Sequence, residues 1–377
     1  MAPIDPIRIL QVSARSDEGG GPRQALTLTA GLAGTHQIFA ALPQGGVYWN
    51  RFEEVLGNDR LFHIDQRSSN PQHAARLARF VQQQRIELIH THGQAAGLVG
   101  RLASLISQVP AVHTYHGLHF EADPSRRFRS AIRNTERLMS LQTRATIAVS
   151  SSEAKLLADR RLNLGSGALF TIPNGVDVPP PPSPDDLRHR APRYGQLRVC
   201  LVLRANHQKY PEAALEILQG LHNHDVLESF EVACPLVDRN QLLLHIKALG
   251  LESKLDSIGP RDSCLPMFAR NHLFLSASRW EGLPLSAVEA MAHATPIAVS
   301  GVMGHVDLYD PTRPLGCQLF RLEARERADE ELLDLTHSAL WVEAARQAHA
   351  NAERRFNVDD MINRTNQVYH HAMEARP

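Results

Sequence analysis

The sequence predicts an α/β protein built from two doubly wound parallel sheets. Short apolar runs alternate with longer amphipathic segments, which is typical of parallel strands joined by crossover helices. The same alternation restarts after a proline-rich run at residues 179–184, so we expect two Rossmann-like domains of similar size. The chain has 377 residues, which is enough for two domains of about 150 residues each.

The first half of the chain contains five strand candidates, each followed by turn residues or by a helical pattern. They are residues 7–12, 37–41, 86–90, 111–115 and 145–150. A helix is expected at residues 22–32, directly after Gly20 and Gly21. Ser150 and Glu153 have the spacing of a capping box, so another helix is expected to begin there. This half predicts one doubly wound domain.

A run of prolines gives the clearest domain boundary. Residues 179–182 are all proline, and Pro184 follows. Proline fixes φ and removes a backbone donor, so we expect this run to be neither helix nor regular strand. The predicted organisation is an N-terminal domain at 1–178, a linker at 179–190, a C-terminal domain at 191–355 and a last helix at 356–377.

The strand pattern restarts after the linker. The candidates are residues 198–203, 230–233, 255–258, 273–276 and 296–299. No residue-level repeat relates the two halves, so the expected likeness between them is one of architecture alone.

Composition and charge argue against several classes of function. Forty Lys and Arg residues balance forty Asp and Glu residues, so no net field attracts nucleic acid. The four cysteines are far apart and form no Cys-x-x-Cys pair, which argues against a disulfide framework or structural zinc and favours a cytoplasmic protein. We expect neither a secretory leader nor a spanning helix, because no apolar run approaches the roughly 18 residues that a span needs.

The most informative segment is SASRWEGLPLSAVEAMA at residues 276–292. Glu281 falls in a predicted loop after a strand, and Glu289 falls in the helix that follows. Such a loop directs backbone N–H groups and the positive end of a helix dipole to the sheet edge, which suits a diphosphate. Two simpler interpretations stay open. Ser286 and Glu289 also have capping-box spacing, and a loop glutamate is often only solvated.

Two cations follow the first strand of the second half. Arg204 and Lys209 are five residues apart, and Lys209 is one of only four lysines in the chain. Such a pair could neutralise a phosphate, although two unrelated surface charges are the simpler interpretation. Because the carboxyl ends of parallel strands meet at one sheet edge, we expect Arg204, Lys209 and Glu281 to converge.

Histidines lie at the ends of two strand candidates of the first half, at positions 90, 92, 113 and 116. They lack a cysteine or carboxylate at ligand spacing, so we expect hydrogen bonds to a polar ligand rather than a metal. The glycine loop at 19–21 could approach a ligand closely. The chain contains no G-x-G-x-x-G, Walker A, G-x-S-x-G or H-E-x-x-H motif, which argues against dinucleotide oxidoreductases, hydrolases and zinc proteases.

With these motifs the sequence resembles the family 4 retaining glycosyltransferases of bacterial polysaccharide and lipopolysaccharide assembly, which have the GT-B fold. The resemblance rests on E-x7-E at Glu281 and Glu289, Arg204 with Lys209, PNGVD at 173–177, HTYHG at 113–117 and the glycine loop at 19–21. It implies two Rossmann-like domains that face a central cleft and a C-terminal helix that crosses back to the first domain.

The resemblance also implies a role for individual residues. Glu289 would bind the ribose hydroxyls and Glu281 the donor sugar. Arg204 and Lys209 would stabilise charge on the leaving diphosphate, and His116 would lie near the sugar. Further donor contacts are implied for Gly20, Gly21, Gly282, Leu283 and Leu285. The implied reaction retains configuration and uses a UDP- or GDP-sugar, with no metal or other cofactor and no covalent enzyme intermediate.

The sequence departs from the family pattern around this expected donor site. Tyr210 and Pro211 follow Lys209, where glycine is common in the family. Cys234 and Pro235 stand where a glycine-rich turn is expected, and Pro284 replaces a commoner glycine. The two glutamates of the E-x7-E motif are intact, so activity is expected.

A basic segment in the first half bears on the acceptor. Arginines recur at positions 126, 129, 133 and 137, and Phe128, Ile132 and Met139 form a neighbouring apolar stripe. This pattern predicts a basic amphipathic helix that could rest on the anionic inner face of the cytoplasmic membrane, although the solvated face of an ordinary helix fits equally well. The favoured acceptor is a glycan or lipid-linked glycan.

Two other classes of function stay open at this point. One is a sugar-nucleotide enzyme of the same fold without acceptor transfer, such as an epimerase. The other is a partner protein that keeps the fold and has lost the chemistry. The intact Glu281, Glu289, Arg204 and Lys209 argue against the second.

Overall fold

The computed structural model describes residues 6–17, 19–64, 71–118, 125–165, 167–193 and 195–374. The chain forms two compact units. The first comprises Met1–Asn174 and Asp359–Pro377, and the second comprises Gly175–Val358. Each unit contains one parallel sheet with helices in the connections, as the sequence predicts.

The strands of the first unit are β1 (Arg8–Ser13), β2 (Gln37–Leu42), β3 (Leu61–His63), β4 (Leu88–His92), β5 (Ala111–Thr114), β6 (Thr143–Ala148) and β7 (Ala168–Thr171). Those of the second unit are β8 (Leu197–Val202), β9 (Leu227–Ala233), β10 (Leu255–Gly259), β11 (Leu273–Ser276), β12 (Ile297–Ser300) and β13 (Cys317–Phe320). The spatial orders are β3-β2-β1-β4-β5-β6-β7 and β10-β9-β8-β11-β12-β13. In both sheets the chain order reverses next to the first strand, which is the doubly wound topology.

An α-helix lies between each pair of successive strands except β12 and β13, and the last three helices follow β13. The helices are α1 (Gly20–Leu32), α2 (Val47–Leu56), α3 (Pro71–Gln83), α4 (Gly93–Ser107), α5 (Arg126–Ser140), α6 (Ser151–Asp159), α7 (Pro184–Arg190), α8 (Pro211–Asn223), α9 (Leu236–Ala248), α10 (Leu265–Arg270), α11 (Leu285–Ala292), α12 (Ala328–Leu332), α13 (Ser338–Arg355) and α14 (Val358–Glu374). Among the helices of the described residues, none is long and apolar enough to cross a membrane.

Buried aliphatic strands form the core of each unit. Leu10 and Val12 of β1 are inaccessible to solvent and pack with Phe39 of β2. In the second unit Val199 and Leu201 of β8 are equally buried, within a cluster that also contains β9 and α8. A sheet covered by helices on both faces buries every position of its central strands, which explains the continuous apolar runs in the sequence.

Three strands were not predicted. β3 has three residues, of which none is fully buried, so it leaves no periodic pattern. β7 lies at the edge of the first sheet, and its four residues are all half-buried. β13 lies at the edge of the second sheet, and Gln318 interrupts its apolar residues. Pairing with a neighbouring strand, rather than local sequence, defines all three.

The predicted linker is partly helical, which corrects the expectation that the proline run excludes helix. Residues 179–183 form neither helix nor strand, but Pro184 begins α7. Ser183 Oγ accepts a hydrogen bond from Asp186 N at 3.1 Å, and Asp186 Oδ2 accepts one from Ser183 N at 3.2 Å. Proline suits the first helical position because its missing N–H would have no partner there.

The last helix belongs almost entirely to the first unit, although α13 before it belongs to the second. Tyr369 of α14 is fully buried and bonds to β1 and β4 side chains. Arg364 donates to the carbonyl of Thr171 in β7 at 2.6 Å. The first fold unit is therefore closed by residues from the far end of the chain.

Candidate functional site

The loops at the carboxyl edge of the second sheet are joined by backbone hydrogen bonds. Arg279 N, after β11, donates to the carbonyl of Gln208, after β8, at 2.8 Å. Gln208 Nε2 returns a bond to the carbonyl of Trp280 at 3.0 Å. Glu281 N donates to the carbonyl of Met303, after β12, at 3.0 Å. Three loops that are distant in sequence thus hold one another in place at this edge.

Glu281 lies at the centre of these loops and is buried, with 6% of its surface exposed. Its Oε1 accepts hydrogen bonds from Lys209 Nζ and from Ser278 Oγ, each at 2.7 Å. Burial opposes ionisation of this carboxyl, but the Lys209 charge, the nearby His305 and the hydrogen bonds from Lys209 and Ser278 together outweigh it and hold the pKa of Glu281 below its ordinary value. The predicted meeting of Lys209 and Glu281 is therefore an ion pair at hydrogen-bond distance.

Gly304 shapes the loop beneath Glu281. Its φ is +82°, and a Cβ there would lie 2.6 Å from the carbonyl oxygen of Gly282 and 2.7 Å from that of Glu281. Only glycine permits this approach without moving the Glu281 backbone. The adjacent His305 is fully buried, and burial lowers its pKa to about 4, so the imidazole beside the ion pair is neutral at pH 7.

The loop after β8 positions the cations. Lys209 N donates to Asn206 Oδ1 at 2.9 Å. Tyr210 has a φ of +43°, a region that disfavours residues other than glycine and asparagine. The Arg279 guanidinium carbon lies 3.7 Å from the centre of the Tyr210 ring, and this cation–π contact offsets part of the strain. Arg204 is half-buried in the same loop.

Glu289 does not cap the helix that contains it. Helix α11 begins at Leu285, its N-cap is Pro284, and no side chain bonds to the cap. The capping-box interpretation of Ser286 with Glu289 is therefore wrong. Glu289 lies one turn into α11 and is only 5% exposed, and Gly282 and Leu283 before the helix are buried.

The carboxyl edge of the first sheet contains uncharged groups instead. His116 Nε2 lies 3.1 Å from His92 Nδ1, and His92 Nε2 lies 2.7 Å from Gln11 Oε1. His90 Nε2 is 2.8 Å from Thr114 Oγ1. Burial, assisted by the neighbouring histidines, holds the pKa of His92 well below its ordinary value and that of His90 at about 3. Both are neutral at pH 7.

The glycine loop lies next to His116. Helix α1 begins at Gly20, and a Cβ on Gly21 would lie 3.5 Å from His116 Cδ2. His116 itself has a φ of +62°. Glu153 holds the segment that follows, since its carboxylate accepts from Gly117 N and from Val149 N. The predicted capping box is thus half formed, because Ser150 Oγ accepts from Glu153 N at 3.2 Å but Glu153 bonds elsewhere.

The four histidines do not form a metal centre. Within the described ranges, no group of three or more His, Cys, Asp or Glu side chains could hold a metal ion. His113 Nδ1 contacts Thr91 Oγ1 at 2.8 Å, and the other three contact the partners given above. The residues of this region suit hydrogen bonding to a polar ligand.

The basic helix α5 is anchored by a buried ion pair. Arg101 of α4 donates to Glu136 at 2.7 Å, both side chains being at most 2% exposed, and the Tyr115 hydroxyl donates to the same carboxylate oxygen at 3.0 Å. Arg137 donates to the carbonyls of Arg160 and Arg161. Arg137 therefore has a structural role. Ile132 of the apolar stripe packs against the core, so part of the stripe faces the protein interior.

The exposed part of α5 lies at its N-terminal turn and near its end. Arg126 and Arg127 are exposed, and 48% of Phe128 is accessible to solvent. Leu138 is 62% exposed. Of the residues in the amphipathic prediction, Arg126 and Phe128 are exposed, whereas the other three arginines, Ile132 and Met139 are half-buried.

Sequence reasoning missed several residues that the structure brings to these edges. Gln208, Ser278 and Gly304 surround Glu281, and Gln11 and Tyr369 adjoin the histidines. Ser278 lies within the segment 276–292 but was assigned no role, and the other four belong to no motif. Gly304 left a weaker trace, as a glycine shortly after a predicted strand.

Two Rossmann-like sheets, one with an acidic and basic cluster at its carboxyl edge, define the class of GT-B proteins. A family model described as Glycosyltransferase Family 4 matches residues 18–179, and one described as Glycosyl transferases group 1 matches residues 186–312. The chain belongs to the family 4 glycosyltransferases and has the GT-B fold. The sequence-based resemblance is confirmed.

A curated relative is UDP-Gal:alpha-D-GlcNAc-diphosphoundecaprenol alpha-1,3-galactosyltransferase from Escherichia coli, which is 26% identical over 244 residues. The match covers 61% of this chain and 61% of the relative. Among solved structures, a glycosyltransferase from Rickettsia africae has a TM-score of 0.77 at 16% identity, over 99% of this chain and 100% of that one. Anabaena HepE, in complex with UDP and glucose, has a TM-score of 0.75 at 18% identity, over 97% and 99%.

Proposed function

We propose that this protein is a retaining glycosyltransferase that moves a sugar from a nucleotide-sugar donor to a glycan or lipid-linked glycan acceptor in cell-surface polysaccharide assembly. The observation that carries the proposal is the 2.7 Å ion pair between Lys209 and the buried Glu281 at the carboxyl edge of the second sheet. A buried carboxylate with a cation and a helix N-terminus beside it provides for both parts of a nucleotide sugar, the hydroxyls and the diphosphate.

We assign each end of the donor to different groups. Oε1 of Glu281 is occupied by Lys209 and Ser278, whereas Oε2 has a long contact of 3.4 Å from Gln208 Nε2. Oε2 is therefore the oxygen to accept a sugar hydroxyl. Glu289 would accept the ribose hydroxyls, and the backbone at Gly282, Leu283 and Leu285 would approach the diphosphate.

Lys209 and Arg204 would stabilise the transition state. As the glycosidic bond breaks, negative charge grows on the leaving diphosphate, and fixed cations stabilise that charge more than the ground state. Glu281 keeps the Lys209 ammonium in place before the donor arrives. Fixed cations of this kind supply the charge that a metal supplies elsewhere, so the proposed reaction is metal-independent and chelators should leave it unchanged.

His116, Gly20 and Gly21 are the first-unit residues proposed to meet the donor. The imidazole would accept or donate a hydrogen bond at the sugar, where it orients the ring and supports a developing positive centre. Helix α1 begins at Gly20 and has no acidic residue in its first turn, and the positive end of a helix dipole favours phosphate.

The relatives make UDP the first nucleotide to test. The Escherichia coli relative uses UDP-Gal, by its name, and HepE was solved with UDP and glucose. We propose a UDP-sugar donor, with a GDP-sugar as the second choice, and a diphosphate-lipid-linked glycan as acceptor.

The first experiment is a thermal-shift screen against UDP, GDP, ADP and TDP and their common sugars. A ligand at a hundredfold excess over its Kd stabilises the fold by about 2.7 kcal/mol, so a donor should raise Tm. The shift should disappear in Glu289→Gln and persist in Glu343→Gln, a matched surface change on α13. The absence of a shift with every nucleotide, or its persistence in Glu289→Gln, would contradict the donor-site assignment.

Membrane contact is proposed through the start of α5. Arg126, Arg127 and Phe128 are exposed together, and each basic residue near an anionic surface contributes about 1 kcal/mol of binding. The wild type should sediment with vesicles prepared from phosphatidylcholine and about 30 mol% phosphatidylglycerol. It should not sediment with vesicles of pure phosphatidylcholine. Arg126→Glu with Arg127→Glu should abolish sedimentation, whereas Arg188→Glu, an exposed arginine of α7, should not. Equal sedimentation of both variants would refute this contact.

A further inference from the structure

A buried chain of hydrogen bonds runs from His116 to the C-terminal helix. His116 Nε2 meets His92 Nδ1 at 3.1 Å, and His92 Nε2 meets Gln11 Oε1 at 2.7 Å. Gln11 Nε2 then donates to the Tyr369 hydroxyl at 3.0 Å, and that hydroxyl meets His90 Nδ1 at 2.7 Å. The chain ends at Thr114 Oγ1, 2.8 Å from His90 Nε2.

The donors and acceptors of this chain fix one another. A neutral imidazole has one N–H and one acceptor nitrogen, and a tyrosine hydroxyl has one hydrogen to donate. Because Tyr369 accepts from Gln11, its own hydrogen goes to His90 Nδ1. Because Gln11 Oε1 is an acceptor, the proton of neutral His92 is on Nε2.

The last link follows from the same count. His92 Nδ1 has no hydrogen, so it must accept, and His116 Nε2 must carry the proton that it accepts. Neutral His116 then has Nδ1 as its acceptor nitrogen. Burial keeps His90 and His92 neutral at pH 7, so the pattern does not change through their protonation.

We propose that Gln11 and Tyr369 are positioning residues that fix the tautomer of His116, so that the C-terminal helix takes part in the chemistry of the first unit. The inference rests on the proposed function, in which His116 meets the sugar. A fixed tautomer determines whether the nitrogen nearest the substrate donates or accepts a hydrogen bond, and a wrong tautomer removes that interaction without removing the ring.

The buried amide of Gln11 links the histidines to the C-terminal helix. Gln11 is on β1 and Tyr369 is on α14, and they are 358 residues apart. Gln11 is on an interior strand of the sheet, bonds to the buried His92 and is 1% exposed. A buried amide in this place costs free energy unless both its oxygen and its nitrogen are bonded, and His92 and Tyr369 satisfy both.

The direct test is nitrogen-15 NMR of protein labelled at histidine. Long-range proton–nitrogen correlations show which ring nitrogen carries hydrogen, and His116→Gln identifies the His116 signals. The wild type should show His116 protonated on Nε2. Tyr369→Phe and Gln11→Met should each give a mixture of tautomers at His116. A wild-type proton on Nδ1, or an unchanged tautomer in both variants, would overturn the proposal.

Steady-state kinetics provide the second readout. Tyr369→Phe should lower kcat about ten- to a hundredfold, the range seen when an outer partner that orients a ring is removed, with the donor KM changed less than about twofold. Tyr115→Phe is the matched control, because it also removes one buried hydroxyl from the first unit but one that bonds to Glu136. Equal kcat losses in the two variants would indicate a structural role and refute the proposal.

Failure of the proposed function looks different from failure of this inference. If no donor and acceptor give turnover with the wild type, the transferase proposal fails while the NMR result still decides the tautomer. Before either readout is used, thermal unfolding of Tyr369→Phe and Gln11→Met tests whether both variants are folded.

Discussion

The two sheets place polar side chains at the same topological position but organise them in opposite ways. At the edge of the second sheet, the half-buried Lys209 forms an ion pair with the buried Glu281. At the edge of the first, His92 and His116 belong to a chain of hydrogen bonds whose buried members are neutral. Fixed charge stabilises a diphosphate, and a neutral chain fixes direction and tautomer. By our proposals, the same architecture therefore supplies charge in one unit and orientation in the other.

Removal of the cation should produce the largest effect. Lys209→Met deletes the ammonium that bonds to Glu281 and, by our proposal, to the leaving diphosphate. Turnover should fall about 10²- to 10³-fold, as when one preorganised donor is lost from a site of developing charge. Lys247→Met, at an exposed lysine of α9, is the matched control and should retain wild-type turnover. A wild-type rate in Lys209→Met would remove Lys209 from the mechanism.

A change in the loop beneath Glu281 should have a moderate effect. Gly304→Ala places a Cβ 2.6 Å from a backbone oxygen at positive φ, so the Glu281 loop must move. We expect a loss of about 1–3 kcal/mol in the free energy of unfolding and a weaker response to nucleotide in thermal shift. Gly250→Ala is the control, since its φ is +69° but nothing lies within 4 Å of the added Cβ. It should lose stability without a change in the nucleotide response, and equal behaviour of the two variants would contradict the clash.

As the pH falls, the neutral buried groups and the charged groups should lose their contributions to stability in different pH ranges. His90 has its pKa lowered from 6.5 to about 3 by burial, so the unfolded chain binds the extra proton first. The stability that neutral His90 contributes is complete above pH 6.5 and is lost as the pH falls toward 3. The Tm of His90→Gln should therefore fall less than that of the wild type across this range.

Glu231 is the charged group to compare with the neutral His90. Burial would raise its pKa, but hydrogen bonds from Arg270, Asn271 and Ser257 hold it at about 2, below the ordinary 4.5. Its contribution is complete above pH 4.5 and is lost as the pH falls toward 2. The Tm difference between the wild type and Glu231→Gln should be constant from pH 7 to 5 and shrink below that. A difference that already changes between pH 6.5 and 5 would contradict the assignment.

The sequence allowed most of the fold and the charged edge to be predicted. Apolar runs buried on both faces located the central strands, and the E-x7-E spacing placed Glu281 in a loop and Glu289 in a helix, as the structure has them. These features are local, so the residues that define them are neighbours in the chain. The roles assigned to the site residues stay predictions.

The rest depends on contacts between distant residues. β3 and β13 are strands because they pair with a neighbour, and Tyr369 bonds to Gln11 across 358 positions. Tyr210 shows a different limit. Glycine is common at this position in the family, and Tyr210 has a φ of +43°, but neither this backbone nor the Arg279 contact with the Tyr210 ring was predicted from the sequence.

The most direct test of the division between the two units is isothermal titration of UDP and GDP into the wild type, Lys209→Met and Tyr369→Phe. The wild type should bind one of the nucleotides. Lys209→Met should bind it at least about tenfold more weakly, since a charge-assisted hydrogen bond contributes about 1.5–3 kcal/mol, and Tyr369→Phe should bind within about twofold of the wild type. Equal affinity in Lys209→Met, or an equal loss in Tyr369→Phe, would contradict the assignment of charge to one unit and orientation to the other.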